Sequence, residues 1–308
     1  MPQALRKILH HLPTRTAIKG KTNQNLYIIK QKINTDRNIA TYMCTFKGKH
    51  VILKIAEQTK VMQQKINVLR EIHEVQDDHL GPSLLDIDEW CAEDGHIYLF
   101  YVLEHIKGSN LTTFFQRKQR HWLPLIIIQL LDQLTILHKT GFVIGQLTAD
   151  HLFMTNSPDV RFDDLSHAVR IGDYIQQRFN FFDAPYWGLG SKKAHPSYDI
   201  FAVVMLILHI YYPEKFSRTN KPRKQLITKI DQLPLATLYK QCFLKAAFGT
   251  YTTASEMKAE FLKAITVTED IRSLPDNQLI KRKKVSLSEA TTILLVAFSY
   301  CLSAYIYL

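Results

Sequence analysis

Side chains that commonly bind metals or attack substrates are present in this chain, but not at the spacing that such chemistry requires. The thirteen histidines show no HExxH or similar arrangement, so a metalloenzyme site is not predicted, and we expect His138 and His167 to satisfy local hydrogen bonds. The four cysteines lie far apart without a CxxC pair, which argues against a zinc site or a disulfide framework and favours a reducing compartment. No GxSxG segment indicates a nucleophilic serine.

Positive charge is the chemical feature that remains. The chain of 308 residues has a formal net charge of +11 and a pI of about 9.3, which favours an anionic partner such as nucleic acid, an acidic protein or an anionic lipid surface. Three stretches are basic without an intervening acid: residues 6–32, 215–229 and 281–284. Any one of these residues can instead belong to an ordinary solvated surface. The residues that we single out for partner binding are Lys221, Arg223, Lys224, Lys281, Arg282, Lys283 and Lys284.

The C-terminal end predicts a membrane anchor. Residues 290–308 carry no charge, and as a helix they would reach roughly 28 Å, close to the hydrocarbon thickness of a bilayer. Residues 281–284 precede this run and should stay in the cytoplasm by the positive-inside rule. The alternative is a buried core helix, which is the interpretation that we prefer for the shorter apolar run 200–212. We therefore expect a single-pass protein of the cell membrane whose remaining chain is cytoplasmic.

The elements that must position any site are indicated by the periodicity of the chain. Between residues 25 and 103 several segments alternate as β-strands do, and one segment, 61–75, has helical spacing instead. From residue 111 onward, apolar residues recur at three- and four-residue steps in several segments. This order predicts an α+β fold in which a small β-rich lobe precedes a larger helical lobe.

Several motifs in this order resemble those of protein kinases, across residues 16–265. HVILKI resembles the strand with the phosphate-binding lysine, and YVLEHIKGSNL resembles the hinge that borders adenine. VRFDDLSHA resembles the metal-binding turn, and PSYDIFAVVMLIL resembles the core helix of the large lobe. With the predicted anchor, TAIKGK and YWGLGSKKAHPSYDIFAVVM resemble the YabT-like tail-anchored serine/threonine kinases of spore-forming bacilli.

The resemblance implies roles for individual residues. Those expected to contact a nucleotide are Lys54, Leu103, Glu104 and Ile106. Leu103 would be the gatekeeper, Asp164 would bind a metal ion, and Asp199 would hold the catalytic loop in place. The cofactors that the family uses, and that the resemblance therefore implies, are ATP and Mg²⁺.

GFVIGQLTADHLFM resembles the kinase catalytic loop in outline but lacks its reactive groups. Gln146 stands at the position of the catalytic aspartate, and a neutral amide can orient a hydroxyl group but cannot accept its proton. His151 stands at the position of the metal-binding asparagine and would be a poor ligand for Mg²⁺, which prefers oxygen. Ile144 and Gly145 replace the histidine and the arginine of the family motif. The loop therefore predicts a loss of phosphoryl transfer.

The nucleotide-binding motifs are also incomplete. INTDRNIATY lies where the family has its glycine-rich loop but contains no glycine, so backbone amides would not approach phosphates closely. In segment 61–75, one register places Lys65 where the family has the glutamate that pairs with Lys54, and a shifted register places Glu71 there. Both registers remain open. Lys54 and Asp164 can accordingly be remnants of a nucleotide site or purely structural residues.

We expect five regions along the chain. They are a basic N-terminal segment (1–15), a kinase-like N-lobe (16–103), a kinase-like C-lobe (104–265), a polar and basic linker (266–288) and a transmembrane anchor (289–308).

The interpretation that these motifs favour is a membrane-anchored pseudokinase that acts as a scaffold or regulator. The first alternative is an unconventional active serine/threonine kinase that uses ATP and Mg²⁺ and recruits Asp150 or Asp163 near the nucleophile. The second is a membrane protein that tethers DNA. We expect a protein partner, with DNA or a second copy of the chain in a homodimer as further candidates.

Overall fold

The computed structural model describes most of the chain up to residue 268. The described ranges are 12–36, 39–57, 60–75, 80–93, 95–116, 120–156, 159–176 and 181–268. The described part of the chain divides into an N-terminal unit, up to residue 108 with 161–168, and a C-terminal unit, residues 109–160 with 169–268. The predicted anchor lies outside the described residues. Within the described ranges, no helix is long and apolar enough to cross a membrane.

The N-terminal unit is built on an antiparallel sheet, as the alternating segments predict. Its strands are Ala17–Lys19 (β1), Leu26–Asp36 (β2), Ile39–Phe46 (β3), Lys49–Glu57 (β4), Leu84–Cys91 (β5) and Ile97–Glu104 (β6). They lie in the order β1-β2-β3-β4-β6-β5. Because side chains alternate between the two faces of a strand, Val51, Leu53 and Ile55 of β4 lie on the same face. They belong to a core cluster that also contains Tyr27 and Phe100.

One helix, Lys60–Val75 (α1), packs against β5 in this unit. Its buried residues are Met62, Ile66, Leu69 and Ile72, which are three or four positions apart and so share one face. The helix predicted over residues 61–75 is therefore confirmed.

The C-terminal unit is mainly helical. Its helices are Leu111–Gln116 (α2), Leu123–Lys139 (α3), Pro196–Tyr211 (α4), Pro222–Asp231 (α5), Thr237–Ala247 (α6) and Ala254–Thr268 (α7). The short strands that follow β6 along the chain are Gly108–Asn110 (β7), Phe142–Val143 (β8), Leu152–Thr155 (β9), Val160–Phe162 (β10) and Val169–Arg170 (β11). Single 3₁₀ turns are formed by Arg120–Trp122, Ala149–His151 and Ala184–Trp187.

The core of the C-terminal unit forms around α4. Twelve of its sixteen residues are buried, and it contacts α3, α6 and α7. Pro196 begins the helix, where a missing N–H costs nothing, and the N–H of Ser197 donates to Nδ1 of His195 (3.2 Å). The apolar run 200–212 is thus a buried core helix, as its length predicts.

Two buried aspartates of β5 hold the turn between β1 and β2. The Asp88 carboxylate accepts backbone N–H groups of Thr22 (2.9 Å) and Asn23 (2.6 Å), and Asp86 accepts the hydroxyl of Tyr27 (2.5 Å). Burial by itself would raise the pKa of Asp88, but the N–H donors of Asn23 and Thr22 lower it below its ordinary value. The ionised form of Asp88 is therefore part of the fold.

We predict that Asp88→Asn lowers the free energy of unfolding at neutral pH by about 1–3 kcal/mol, because an amide offers the two N–H groups a poorer acceptor. A carboxyl whose pKa is lowered by folding stabilises the fold above its unfolded pKa of about 4, and this contribution is lost as the pH falls. The difference between wild type and variant, measured by urea unfolding, should therefore shrink below that pH. Glu93→Gln, at an exposed carboxyl of the same unit, should have little effect at any pH. A difference for Asp88→Asn that does not change with pH would contradict this account.

Candidate functional site

Lys54 projects from the middle of β4, where the sheet fixes its backbone on both sides. It pairs with Thr41 of β3 and with Tyr101 of β6. Because side chains alternate along a strand, Lys54 points away from the face that holds Val51, Leu53 and Ile55. Its side chain is only 15% exposed, so its charge needs a partner.

That partner is Asp164, in the turn after β10. Nζ of Lys54 lies 2.5 Å from Oδ2 of Asp164, whose side chain is 3% exposed. The hydroxyl of Ser166 donates to the same oxygen (2.8 Å), and the Ser166 N–H donates to Oδ1 (2.7 Å). Tyr101 in turn donates its hydroxyl to Oγ of Ser166 (3.2 Å). Both oxygens of Asp164 are therefore engaged by protein donors.

Each charge of this pair stabilises the ionised form of the other. Burial by itself would raise the pKa of Asp164, but the charge of Lys54 brings the pKa well below the usual range. Burial would likewise lower the pKa of Lys54, but the Asp164 carboxylate raises it above the ordinary lysine value. Both groups are charged at neutral pH.

Helix α1 adds Lys65 to this network. Nζ of Lys65 lies 2.9 Å from Nδ1 of His167, and Nε2 of His167 lies 3.8 Å from Oδ2 of Asp164. An ammonium group can only donate, so the first contact makes the imidazole an acceptor. Of the two residues that the sequence proposed near Lys54, Lys65 thus contacts the pair through His167. Which of Lys65 and Glu71 occupies the position of the family's glutamate stays a prediction from the sequence.

The segment predicted to border adenine ends β6. Leu103 and Ile106 are buried. The Glu104 carboxylate accepts two bonds from the Arg161 guanidinium, Nη1 to Oε1 (3.0 Å) and Nη2 to Oε2 (2.8 Å), which lowers the pKa of Glu104. The N–H of Glu104 donates to the carbonyl of Ser83 (2.9 Å). This segment is thus held by side-chain and backbone bonds within the N-terminal unit.

In the C-terminal unit, Asp199 organises the loop that resembles the catalytic loop. It is fully buried in the first turn of α4, and its carboxylate accepts the N–H groups of Ile144 (2.8 Å) and Gly145 (2.9 Å). Its Oδ2 also lies 3.0 Å from Nε2 of His138. Gly145 has a φ of +67°, and a Cβ at this position would lie 3.4 Å from Cδ1 of Ile175. The loop backbone therefore has a shape that only glycine adopts without strain.

The other loop residues lie on the following turn of chain. Gln146 is half-buried, and His151 ends the 3₁₀ turn that begins at Ala149. Asp150 is exposed and accepts the hydroxyl of Thr112 (2.8 Å). Among the residues that the structure describes, no group of three or more metal-ligating side chains occurs.

These residues make a poor site for Mg²⁺. Three protein donors already occupy the Asp164 carboxylate, which offers about four lone-pair sites, so a metal ion there would share its oxygens with Lys54 and Ser166 and would be repelled by the charge of Lys54. His151 offers nitrogen to an ion that prefers oxygen, and Gln146 offers no negative charge.

The cations predicted to bind a partner fall into two groups. Lys221, Arg223 and Lys224 are exposed at the start of α5. Residues 281–284 lie outside the described part of the chain.

Sequence reasoning did not predict three features of the site. They are the hydrogen bonds of Ser166, the pairing of Arg161 with Glu104 and the contact of His167 with Lys65. VRFDDLSHA carried the signal, because Ser166 stands where the family has glycine and His167 follows it, so two side chains able to form hydrogen bonds lie close to Asp164 in sequence.

Comparison with known proteins agrees with the kinase-like motifs. No protein-family model matches the chain. It is 34% identical over 266 residues to the serine/threonine-protein kinase YabT of Bacillus subtilis (strain 168), across 86% of this chain and 79% of YabT. Human serine/threonine-protein kinase PAK 4 is 23% identical over 150 residues, and the match covers 46% of this chain and only 25% of PAK 4. The solved structure of vaccinia related kinase 3 aligns with a TM-score of 0.60 at 15% identity, over 86% of this chain and 95% of that one, which shows a common fold.

We predict that Lys54→Met and Asp164→Asn each lower the free energy of unfolding by about 3–5 kcal/mol, because each leaves the partner charge buried and unpaired. The double variant should lower the free energy of unfolding by about 1–3 kcal/mol less than the sum of the two single effects. Urea unfolding of all four proteins gives this coupling. As a control, Lys21→Met removes the pair between the exposed Lys21 and the half-buried Glu89 (3.2 Å) and should lower the free energy of unfolding by less than about 1 kcal/mol. Additive single effects would mean that the buried pair is not coupled.

Proposed function

This chain belongs to the family of serine/threonine protein kinases that includes YabT, and from that premise we propose that it is a pseudokinase anchored in the membrane. In this proposal the two kinase-like lobes lie in the cytoplasm and act as a scaffold or regulator for a protein partner. The anchor is residues 289–308, and the basic run 281–284 keeps the preceding chain on the cytoplasmic side.

One observation carries the proposal: the carboxylate that would bind metal is already bound by the protein. Asp164 accepts bonds from Lys54 and Ser166, so the two residues that survive from the family's nucleotide chemistry neutralise each other. Gln146 adds a second deficit, because the loss of a general base at this position removes a factor of roughly 10² to 10⁴ in rate.

An active serine/threonine kinase is the second candidate, and the identity with YabT favours it. In that candidate Asp150 or Asp163 would replace the missing base. The exposure of Asp150 leaves it accessible to a substrate hydroxyl. A DNA-tethering role is a third proposal and rests on the basic stretches alone. A homodimer is compatible with all three.

We predict that the purified full-length protein in detergent transfers no phosphate from ATP to itself or to a generic protein substrate above the background of a Lys54→Arg variant. Lys54→Arg keeps a positive charge beside Asp164, so it should remain folded, unlike the neutral substitutions. Radiolabelled ATP measures the transfer. In a thermal-shift titration with ATP, adding Mg²⁺ should leave the melting temperature unchanged, because a ligand raises the stability only of a protein that binds it.

Robust transfer that is lost in Lys54→Arg would overturn the pseudokinase proposal. Loss of that transfer in Asp150→Asn or Asp163→Asn would then identify the replacement base and establish the active candidate.

We predict that the full chain fractionates with membranes and resists carbonate extraction, because residues 290–308 form an apolar span. A chain that ends before Val285 should be released into the soluble fraction. As a control, a variant in which glutamine replaces Lys281, Arg282, Lys283 and Lys284 should remain in the membrane. A protease-protection assay should show that this variant no longer has a uniform orientation. Release of the full chain by carbonate would show that the C-terminal run is not an anchor.

A further inference from the structure

A cluster of cations surrounds the start of α5 and the loop before it, in the C-terminal unit. Its members are Lys215, Arg218, Lys221, Arg223, Lys224 and Lys229. We call this set the α5 cation cluster. No acidic residue lies between positions 215 and 229, while Glu214 and Asp231 flank the cluster in sequence. All of its members except Lys229 are exposed.

Aromatic rings hold several of these cations in place. Nζ of Lys229 lies 4.6 Å from the ring of Tyr212, and the guanidinium of Arg223 lies 4.6 Å from the ring of Phe248. Lys215 lies 5.2 Å from a third ring. Such contacts attract a cation to the ring face and restrict its side chain. The cluster therefore loses less conformational freedom on binding an anionic surface than free lysines would.

An exposed apolar residue lies among the charges. Leu226 and Ile230 face inward and are fully buried, whereas Ile227 is 41% exposed. Ile227 follows Arg223 by four positions and Lys224 by three, so the three share one side of α5. Cations combined with an apolar residue are typical of a helix that lies at a membrane interface. The phosphates of a nucleic acid would give Ile227 no apolar contact.

We propose that the α5 cation cluster, together with Ile227, binds the anionic headgroups of a lipid bilayer. This inference rests on the membrane placement in the proposed function, and it adds a second contact that would fix how the C-terminal unit faces the membrane. Electrostatic attraction to the headgroups acts within a Debye length of about 10 Å. A chain that is anchored in the same bilayer stays close to its surface, so the cluster can come within this distance.

The test is hydrogen exchange on the full chain in lipid nanodiscs of two compositions. Residues 222–231 should exchange at least about tenfold more slowly in discs that contain phosphatidylglycerol than in discs of phosphatidylcholine alone, since each cation near an anionic surface contributes about fivefold to the association. Molar salt should remove most of the difference. Equal exchange in the two kinds of disc would overturn the proposal.

Matched variants distinguish an effect of this surface from an effect of net charge. The triple variant Lys221→Gln, Arg223→Gln and Lys224→Gln should abolish the difference in exchange between the two kinds of disc. The control is Lys30→Gln, Lys47→Gln and Lys49→Gln, which removes the same charge from exposed positions of the N-terminal unit and should leave the difference intact. An equal loss in both variants would show a general charge effect and contradict the assignment to α5.

Ile227→Ser and duplex DNA distinguish lipid from nucleic acid. If lipid is bound, Ile227→Ser should reduce the protection that survives in salt. Protection of α5 by duplex DNA in phosphatidylcholine discs, without any effect of phosphatidylglycerol, would instead replace lipid with nucleic acid. Failure of the anchor would be recognised separately, because a chain without an anchor would not co-elute with the phosphatidylcholine discs. Phosphatidylglycerol vesicles added to such a chain would then test the α5 cation cluster alone.

Discussion

A carboxylate that is buried away from water must have its oxygens engaged, and this constraint organises both units of the protein. Asp88 fixes the turn between β1 and β2, and Asp164 ties the turn after β10 to β4. Asp199 fixes the backbone at residues 144 and 145. In each case one aspartate gathers donors that are distant in sequence, and an unsatisfied acceptor would destabilise the fold. Loops that have no periodicity of their own thereby acquire a single conformation.

The same constraint bears on chemistry. A metal ion or the protein's own donors can satisfy a buried carboxylate, and each donor that occupies a lone pair leaves fewer for a metal ion. In this chain Lys54 and Ser166 occupy Asp164, and Lys65 places a further positive charge close by through His167. Residues at the positions that the family uses for nucleotide chemistry thus have structural contacts of their own in this chain. Their presence in a sequence is therefore weak support for activity, which explains why the surviving motif residues and the missing ones point in different directions.

Periodicity predicted the elements well where it was sustained. Helices α1 and α4 and the strands of the sheet follow from it, because burial of one face imposes a repeat that a single sequence displays. Resemblance to kinases supplied the positions of Lys54, Asp164 and Asp199. Neither source predicted the Arg161–Glu104 pair or the contact between Lys65 and His167. Such contacts join single residues across many positions of the chain, so they leave no repeat, and only the folded backbone brings them together.

Gly145 has a consequence for the engineering of this loop. A φ of +67° costs an ordinary side chain roughly 1–2 kcal/mol, and an added Cβ would meet Cδ1 of Ile175 at 3.4 Å. An arginine placed here would therefore bring backbone strain together with its charge. A redesign that installs the family's motif should accordingly reshape the backbone before it adds reactive groups.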